Sequence, residues 1–335
     1  MPAVVEAHAA LGHWRTAWDD LVDRQRLPSP FQRSWWLESV AEQRTTYVLV
    51  VAGAELIGGL ALGAGRAGAR RMVAPGPAVL CPDHLDVLAE PGAEDRVVVA
   101  ISRWLARGPR LLDVRGVVAG SLLERATGAM ALPADRAPFQ PLDGPYLAGR
   151  SSAFRRNVRR GARRLDQLGL RHRRATLAEI PDALAAFRAL HTARGDRGAL
   201  VAQLDPLERA VLAGARVDEA RVDVLGGDRT VAVSIGFELA GRLSLYQVAR
   251  SLEREHGSAG TVLLASVIED AAAHGHHEVD LLRGAEGYKS SFADHTRPVG
   301  RLRAARGSSA VAQLRVEDAA RRVSARLRSR GGSGS

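Results

Sequence analysis

The sequence predicts an α/β (α+β) fold made of two tandem units, each a mixed central sheet flanked by helices. Three observations carry that prediction. The chain has 335 residues, a length that suits two domains or one internal duplication. Its 46% hydrophobic and 25% charged residues are ordinary globular material, with enough apolar mass for sizeable cores. Each half opens on helices and then enters a strand hairpin closed by a glycine, Gly53 in one and Gly241 in the other.

In chain order, residues 8–43 read as helices, with Trp14, Trp18 and Leu21 on one face and P-S-P (Pro28–Pro30) as a break. T-Y-V-L-V-V-A (Thr46–Ala52) and E-L-I-G-G-L-A-L (Glu55–Leu62) read as paired strands. P-G-P (Pro75–Pro77) is loop material, 93–106 a helix, and L-L-D-V-R-G-V (Leu111–Val117) a buried strand. The prolines and glycines of 133–150 mark a linker or crossover. From about Ser152, Phe154, Val158, Ala162, Leu165 and Leu168 recur at helical spacing, and Gly169 stops the helix. A second helix covers about 181–194; strands follow at 220–225, 230–239 and 243–249, then a helix at 261–274 and a strand at 278–282. This divides the chain into an N-terminal unit 1–150, a C-terminal unit 151–307, and a basic helix with a flexible tail 308–335 ending R-G-G-S-G-S.

The net charge of +10 is unevenly spread. Residues 151–174 hold nine arginines against Asp166, and 301–330 hold nine against Glu317 and Asp318, so the rest of the chain is net acidic. Such patches fit a phosphate-bearing cofactor, RNA or a membrane surface, and equally a solvated helix face. Cys81 is alone, which excludes an internal disulfide. No apolar run approaches the roughly 18–20 residues that span a bilayer, and the N-terminus lacks a secretory pattern; the chain reads as soluble and cytoplasmic. Of 47 lysines and arginines only Lys289 is lysine, in G-A-E-G-Y-K-S-S-F-A. That rarity asks why arginine was not used there too.

Several motifs can be set aside. G-A-G-R-A-G (Gly63–Gly68) fits a dinucleotide pattern, but Pro75 denies it the helix that pattern needs. H-G-H-H (His274–His277) sits at a helix end, where Gly275 caps and histidines suit the dipole; no metal is expected. There is no G-x-S-x-G elbow and no Walker loop. R-E-H-G-S-A-G-T (Arg254–Thr261) is different: it joins a strand to a helix start with small residues, so backbone N–H groups can cradle an anion. A plain turn with Ser258 as N-cap is the alternative.

Arg254-x-x-Gly257-x-Ala259 matches the pyrophosphate loop of the GNAT acyltransferases, and the surrounding order resembles the CelD/BcsL-like branch of that superfamily, related to the Fem-type aminoacyltransferases. F-R-R-N-V-R-R-G-A-R-R-L (Phe154–Leu165) resembles the branch's basic helix, and F-R-A-L-H-T-A-R (Phe187–Arg194) its L-H-x-x-R element. S-A-G-T-V-L-L (Ser258–Leu264) is similar to its S-P-G-x-x-L-L turn, with Ala259 for proline. V-D-L-L-R-G-A-E-G-Y-K-S-S-F-A (Val279–Ala293) is similar to its D-F-x-x-G…Y/F-K-x-x-F-G ending, with Ala293 for glycine.

The resemblance implies two GNAT-like units, the first degenerate, and a sheet that splays after Leu243–Ala249 to admit an acyl-pantetheine arm. It implies N-acyl transfer from acetyl-CoA, or another acyl-CoA, to an amine of a small metabolite, sugar or peptide by direct attack on the thioester. Arg254, Gly257, Ser258, Ala259, Gly260 and Thr261 would hold the pyrophosphate. Lys289 would stabilise developing charge, Tyr288 donate a hydrogen bond or proton, and Asp280 and Glu286 serve as general base or acceptor anchor. Tyr246, His191 and Arg194 would face the acceptor. Ordinary readings stand beside these: a surface Lys289, a packed Tyr288, a buried structural Asp280, a core Tyr246, and an exposed His191–Arg194 pair. The rival functions are a Fem-type enzyme using aminoacyl-tRNA, with tRNA as partner, and a catalytically silent protein that keeps the fold.

Overall fold

The computed structural model describes residues 3–41, 45–65, 71–284 and 286–331, with side chains up to residue 321. The first half runs β1 (Val4–His8), α1 (Arg15–Asp23), α2 (Ser34–Val40), β2 (Thr45–Ala52), β3 (Glu55–Ala64), β4 (Arg71–Val73), β5 (Leu88–Ala89), α3 (Glu94–Ala106), β6 (Arg110–Val118), α4 (Leu122–Thr127) and β7 (Leu132–Pro141). The second runs α5 (Ser152–Gln167), β8 (Arg171–Arg174), α6 (Ile180–Arg194), α7 (Gly198–Val201), α8 (Leu204–Ala215), β9 (Ala220–Gly226), β10 (Thr230–Leu239) and β11 (Arg242–Arg250). It closes with α9 (Ala259–Ala273), β12 (Glu278–Asp280), α10 (Lys289–Phe292), β13 (His295–Arg306) and α11 (Ser308–Gly331).

The strands form one mixed sheet in the order β1-β2-β3-β4-β6-β13-β7-β12-β11-β10-β9-β8, with β5 on β3. The two halves exchange their last strands. β13, from the second half, pairs with β6 of the first, and β7, from the first half, pairs with β12 of the second. β7 and β13 also pair with each other at the centre.

The alternating and hairpin strands stand where the sequence placed them, and several elements do not. Residues 133–150 were expected to be a linker or crossover, yet β7 fills the first half of that stretch and lies mid-sheet despite Pro133, Pro138 and Pro141. Proline removes an N–H from a ladder but keeps its carbonyl: Pro138 O accepts from the Leu281 N–H at 2.8 Å. β1 precedes the stretch read as helices, where no element was expected, and β8 (R-H-R-R) and β13 carry too much arginine to read as strands. α9 begins at Ala259, two residues before its expected start, and α11 continues through Arg330 and Gly331, which were read as tail. Part of G-A-G-R-A-G and residues 332–335 fall outside the described residues.

One core is common to both halves. Phe31 and Trp36 stack edge-on at 4.9 Å; Phe31 meets Phe237 at 5.9 Å and Trp36 meets Tyr246 at 5.6 Å. Trp35 Nε1 donates to Glu219 at 2.6 Å. With only 4% aromatic residues in the chain, spending these few on the seam between α2, β10 and β11 couples the halves through large buried rings. A second cluster packs Val158 and Leu165 of α5 against Val262 and the rest of α9 on the opposite face of the second half.

Candidate active site

β11 and β12 run parallel but pair over only three positions, Arg242↔Glu278, Leu243↔Val279 and Ser244↔Asp280. Beyond Ser244 they part, leaving one edge of β11 without a partner strand. At that point β11 carries a bulge: Gln247 lies opposite Ile235 and Leu245 opposite Gly236, so Tyr246 is the extra residue. A bulge re-aims its side chain and bends its strand. The gap widens into a cleft of about 420 Å³.

Each wall comes from a different part of the chain. β11 contributes Leu245 to Val248 and Arg250, and the segment after β12 contributes Leu281, Leu282 and Arg283. The end of α6 and the turn into α7 bring His191, Arg194, Arg197 and Leu200. The first half supplies Val79, Cys81 and Asp83, and the α10 region Glu286, Tyr288 and Lys289. Six of the residues singled out in the sequence therefore meet in one cavity: His191, Arg194, Tyr246, Glu286, Tyr288 and Lys289.

His191 is 2% exposed, and neither of its ring nitrogens has a hydrogen-bond partner. Its ring stands edge-on to Phe187 at 4.5 Å. Burial, then the charges of Arg194 and Arg197, push its pKa down to about 4, so the imidazole is neutral. The reading of His191 and Arg194 as an exposed pair is corrected for the histidine. Arg194 holds Asp196 through two bonds of 3.0 Å. Tyr246 both lines the cleft and belongs to the aromatic core, its hydroxyl donating to Leu80 O at 2.6 Å. Tyr288 is 43% exposed and meets Phe292 edge-on, a ring at the mouth of the cleft.

Lys289 answers the question its rarity raised. Its Nζ donates to Leu282 O at 3.2 Å and Arg283 O at 2.9 Å, and pairs with Glu286 Oε2 at 3.1 Å. An ammonium has three donors, and all three are in use. A compact point charge suits two carbonyls and a carboxylate inside one tight turn; a guanidinium fork does not. Gly284, at φ +144, belongs to the same cage, because a Cβ there would meet Lys289 Nζ at 2.7 Å. For Lys289 to take the charge-stabilising role expected of it, an oxyanion would have to displace one of these partners. Burial pulls the Glu286 pKa up, but Lys289 outweighs it and holds the carboxyl below the ordinary range, so the group expected to serve as base or acceptor anchor stands tied to the lysine.

Asp280 is corrected too. It is wholly buried, 2.9 Å from His84 Nε2 and 2.5 Å from Arg297 Nη1, and accepts the Leu282 N–H at 2.7 Å. Burial opposes its charge, but His84, Arg297 and that N–H outweigh it and hold the pKa at about 2. It does not line the cleft and has no proton-accepting task at neutral pH.

The expected pyrophosphate turn lies at the start of α9. Arg254 occupies a short 3-10 turn, Gly257 is exposed, and Ser258 sits at the N-cap without a side-chain cap bond. Ala259, Gly260 and Thr261 form the first helical turn, whose N–H groups have no intrahelical partners. α5 crosses this turn closely: a Cβ on Gly161 would come 2.9 Å from Ser258 Cβ. None of these six residues lines the cleft, but Arg250, which does, lies over Gly260, whose Cβ would be 3.0 Å from Arg250 Cδ. Glu253 and Glu255 flank Arg254, with Arg229 paired to Glu253 at 2.9 Å.

Residues 152–290 match the family profile described as an acetyltransferase (GNAT) domain. This segment is a GNAT-superfamily domain. No curated protein sequence matches the chain. The fold of the whole chain is similar to the C-terminal domain (DUF2156) of an Agrobacterium fabrum protein assigned as a lysylphosphatidylglycerol synthetase, at TM-score 0.62 and 16% identity over 91% of this chain and 95% of that one. It is similar to FemX at TM-score 0.65, 10% identity, 89% of this chain and 96% of that one. It is also similar to a tandem GNAT protein from the clavulanic acid biosynthesis pathway, at TM-score 0.50, 15% identity, 91% and 99% coverage. Among the described residues no helix is long and apolar enough to cross a membrane.

The GNAT domain does not build its cleft alone, and that is where the sequence reading fell short. Cys81 and Asp83 arrive from the first half, which carries no local signal for the site. Asp83 pairs with Arg283 Nε at 2.9 Å and accepts the Arg283 N–H at 2.7 Å, while its burial lifts its pKa above the ordinary range. Arg197 and Arg250 lie just beyond the motifs that were recognised.

Proposed function

We propose that this chain is an N-acyltransferase of the CelD/BcsL-like branch, moving an acyl group from acetyl-CoA or another acyl-CoA to an amine of a small metabolite, sugar or peptide. The observation that carries this reading is the parting of β11 and β12 after three paired positions, around a cleft of about 420 Å³. The unpaired edge of β11 offers backbone N–H and C=O groups to an extended pantetheine arm. The first turn of α9, with Arg254, Gly257, Ser258, Ala259, Gly260 and Thr261, takes the phosphates, and Arg250 links that turn to the cleft.

In the step itself the acceptor amine attacks the thioester carbonyl; a C–N bond forms, the C–S bond breaks, and CoA leaves as its thiolate, which the proton released from the amine finally neutralises. His191 takes the proton from the amine nitrogen, because its imidazole is the neutral, unpartnered base on the cleft wall. Alignment of the two reactants in the gap supplies the larger share of the acceleration. The two units act together, residues 1–150 giving the cleft Val79, Cys81 and Asp83.

Calorimetric titration with acetyl-CoA and with free CoA, repeated for Gly260→Glu, tests the donor. Micromolar binding is expected for the native protein and is lost in the variant, whose side chain starts 3.0 Å from Arg250. Absence of binding to either ligand by the native protein would overturn the acyl-CoA reading. A second reading, an aminoacyl-tRNA donor, is favoured by the exposed arginine face of α5, a helix whose opposite, buried face packs on the α9 turn at Gly161. Steeply salt-dependent tRNA binding without CoA binding would select it.

A further inference from the structure

We propose that the cleft selects an acceptor amine that carries its own anionic group, a carboxylate or a phosphate, with the anion on Arg197 beside Arg194 and the amine facing His191. This deepens the acyl-transfer reading and rests on it for the identity of the site.

The charges of the cleft wall support the assignment when they are paired off. Arg283 is matched by Asp83, Lys289 by Glu286 and Arg194 by Asp196. Two arginines are left. Arg250 donates to Ser251 O and lies over Gly260, on the side of the donor's phosphates; Arg197 stands on the other side, where among the described residues no carboxylate lies within ion-pair distance of it and its side chain makes no hydrogen bond. Its charge nevertheless reaches into the cavity, where it acts on His191, Glu286 and Tyr288. An unmatched guanidinium at a concave site is a ready partner for a carboxylate or phosphate. Arg197 comes from the turn between α6 and α7, whereas the donor's phosphates belong to the α9 turn, so the two anion sites are separate.

His191 is the second, independent observation. A polar ring 2% exposed with both nitrogens unsatisfied is rare, because buried polar groups find partners. Here the missing partner belongs in the cleft. The amine of the acceptor fills that place, and a cavity of about 420 Å³ sets a small-molecule scale for it. The two observations also interlock. Burial, and after it the charges of Arg194 and Arg197, keep His191 uncharged; the acceptor's anion counters the arginines, and the imidazole then gains basicity toward the amine proton.

The test uses the full chain without donor, and four probes in matched pairs: β-alanine with β-alaninamide, and O-phosphoethanolamine with ethanolamine. Affinity is read by calorimetry, and the His191 pKa by its imidazole NMR signals, assigned with His191→Gln. At least one anionic probe is expected to saturate, to bind at least about tenfold more tightly than its neutral partner, and to raise the His191 pKa. Whichever pair responds identifies carboxylate or phosphate. Arg197→Gln should erase the difference and Arg197→Lys restore part of it; the residue is exposed, so neither change threatens folding. Equal affinity within both pairs, no binding by any probe, or a difference that survives Arg197→Gln would overturn the proposal. A protein that shows the pattern but binds no acetyl-CoA keeps this site and loses the acyl-CoA donor; the reverse result loses this site alone.

Discussion

Two segments of this chain carry the same excess of arginine and use it in opposite ways. In β13 and α11, Arg301 grips Asp113 through bonds of 2.6 and 2.7 Å, Arg303 holds Glu317 at 2.6 Å and also Asp318, and Arg71 joins Asp113 at 2.8 Å. Burial disfavours the charge of Asp113, yet these arginines keep its pKa below the ordinary range. On α5 the pattern is reversed. Arg155 donates to Ala148 O and Arg160 to Asn157, but among the described residues no carboxylate meets Arg155, Arg156, Arg159, Arg160, Arg163 or Arg164. The apolar stripe of α5 is packed on α9 while five of those six arginines are exposed. Summed charge, all that a sequence offers, does not separate an internally neutralised network from a field presented to solvent.

That contrast can be broken or sharpened by experiment. The largest effect belongs to Asp113→Asn, which strips Arg301 of its carboxylate and leaves Arg71 and Arg303 only Glu317 and Asp318; urea denaturation should show a loss of about 3 kcal/mol. A loss below about 1 kcal/mol would mean the network is ornamental. Next comes acid. The Asp280 pKa falls from 3.8 in its ordinary state to about 2 in the fold, so its contribution is complete above pH 4 and disappears as pH falls through 2. The loss is about 2 kcal/mol, and Asp280→Asn should flatten that limb of the stability–pH curve. The smallest change in stability belongs to α5: Arg159→Gln with Arg163→Gln should move it by less than about 0.5 kcal/mol. The same pair should lower the salt slope of polyanion binding, measured with tRNA, by roughly 1.5. An unchanged slope would leave the α5 field without a partner.

Much of the site-bearing half was legible because its signals are local. The β10–β11 hairpin announces itself by alternation around Gly241, α5 by apolar residues at helical spacing, and the α9 turn by consecutive small residues. What could not be read depends on distant partners. β13 pairs with β6 across most of the chain, and nothing in H-T-R-P-V-G-R-L-R says that Asp113 and Glu317 will absorb its arginines. β7 hides behind three prolines. Asp280 looks like a catalytic carboxylate until His84 arrives from the other half, and Asp83 is silent until Arg283 meets it. Lys289 was picked out correctly as unusual; only the cage around its Nζ shows that a folded turn holds it.

The exchange of final strands has a consequence on the ribosome. β6 emerges long before β13, the strand that covers its edge, and at about 5–20 residues per second the delay is on the order of 10–35 s. Through that interval R-L-L-D-V-R-G-V-V stands as an open, largely apolar edge, the kind that recruits other chains. β7 waits as well, since both strands beside it in the finished sheet are synthesised later. Neither half can close until residue 306 has left the tunnel, so a nascent chain stalled inside the second half leaves the first unfinished too.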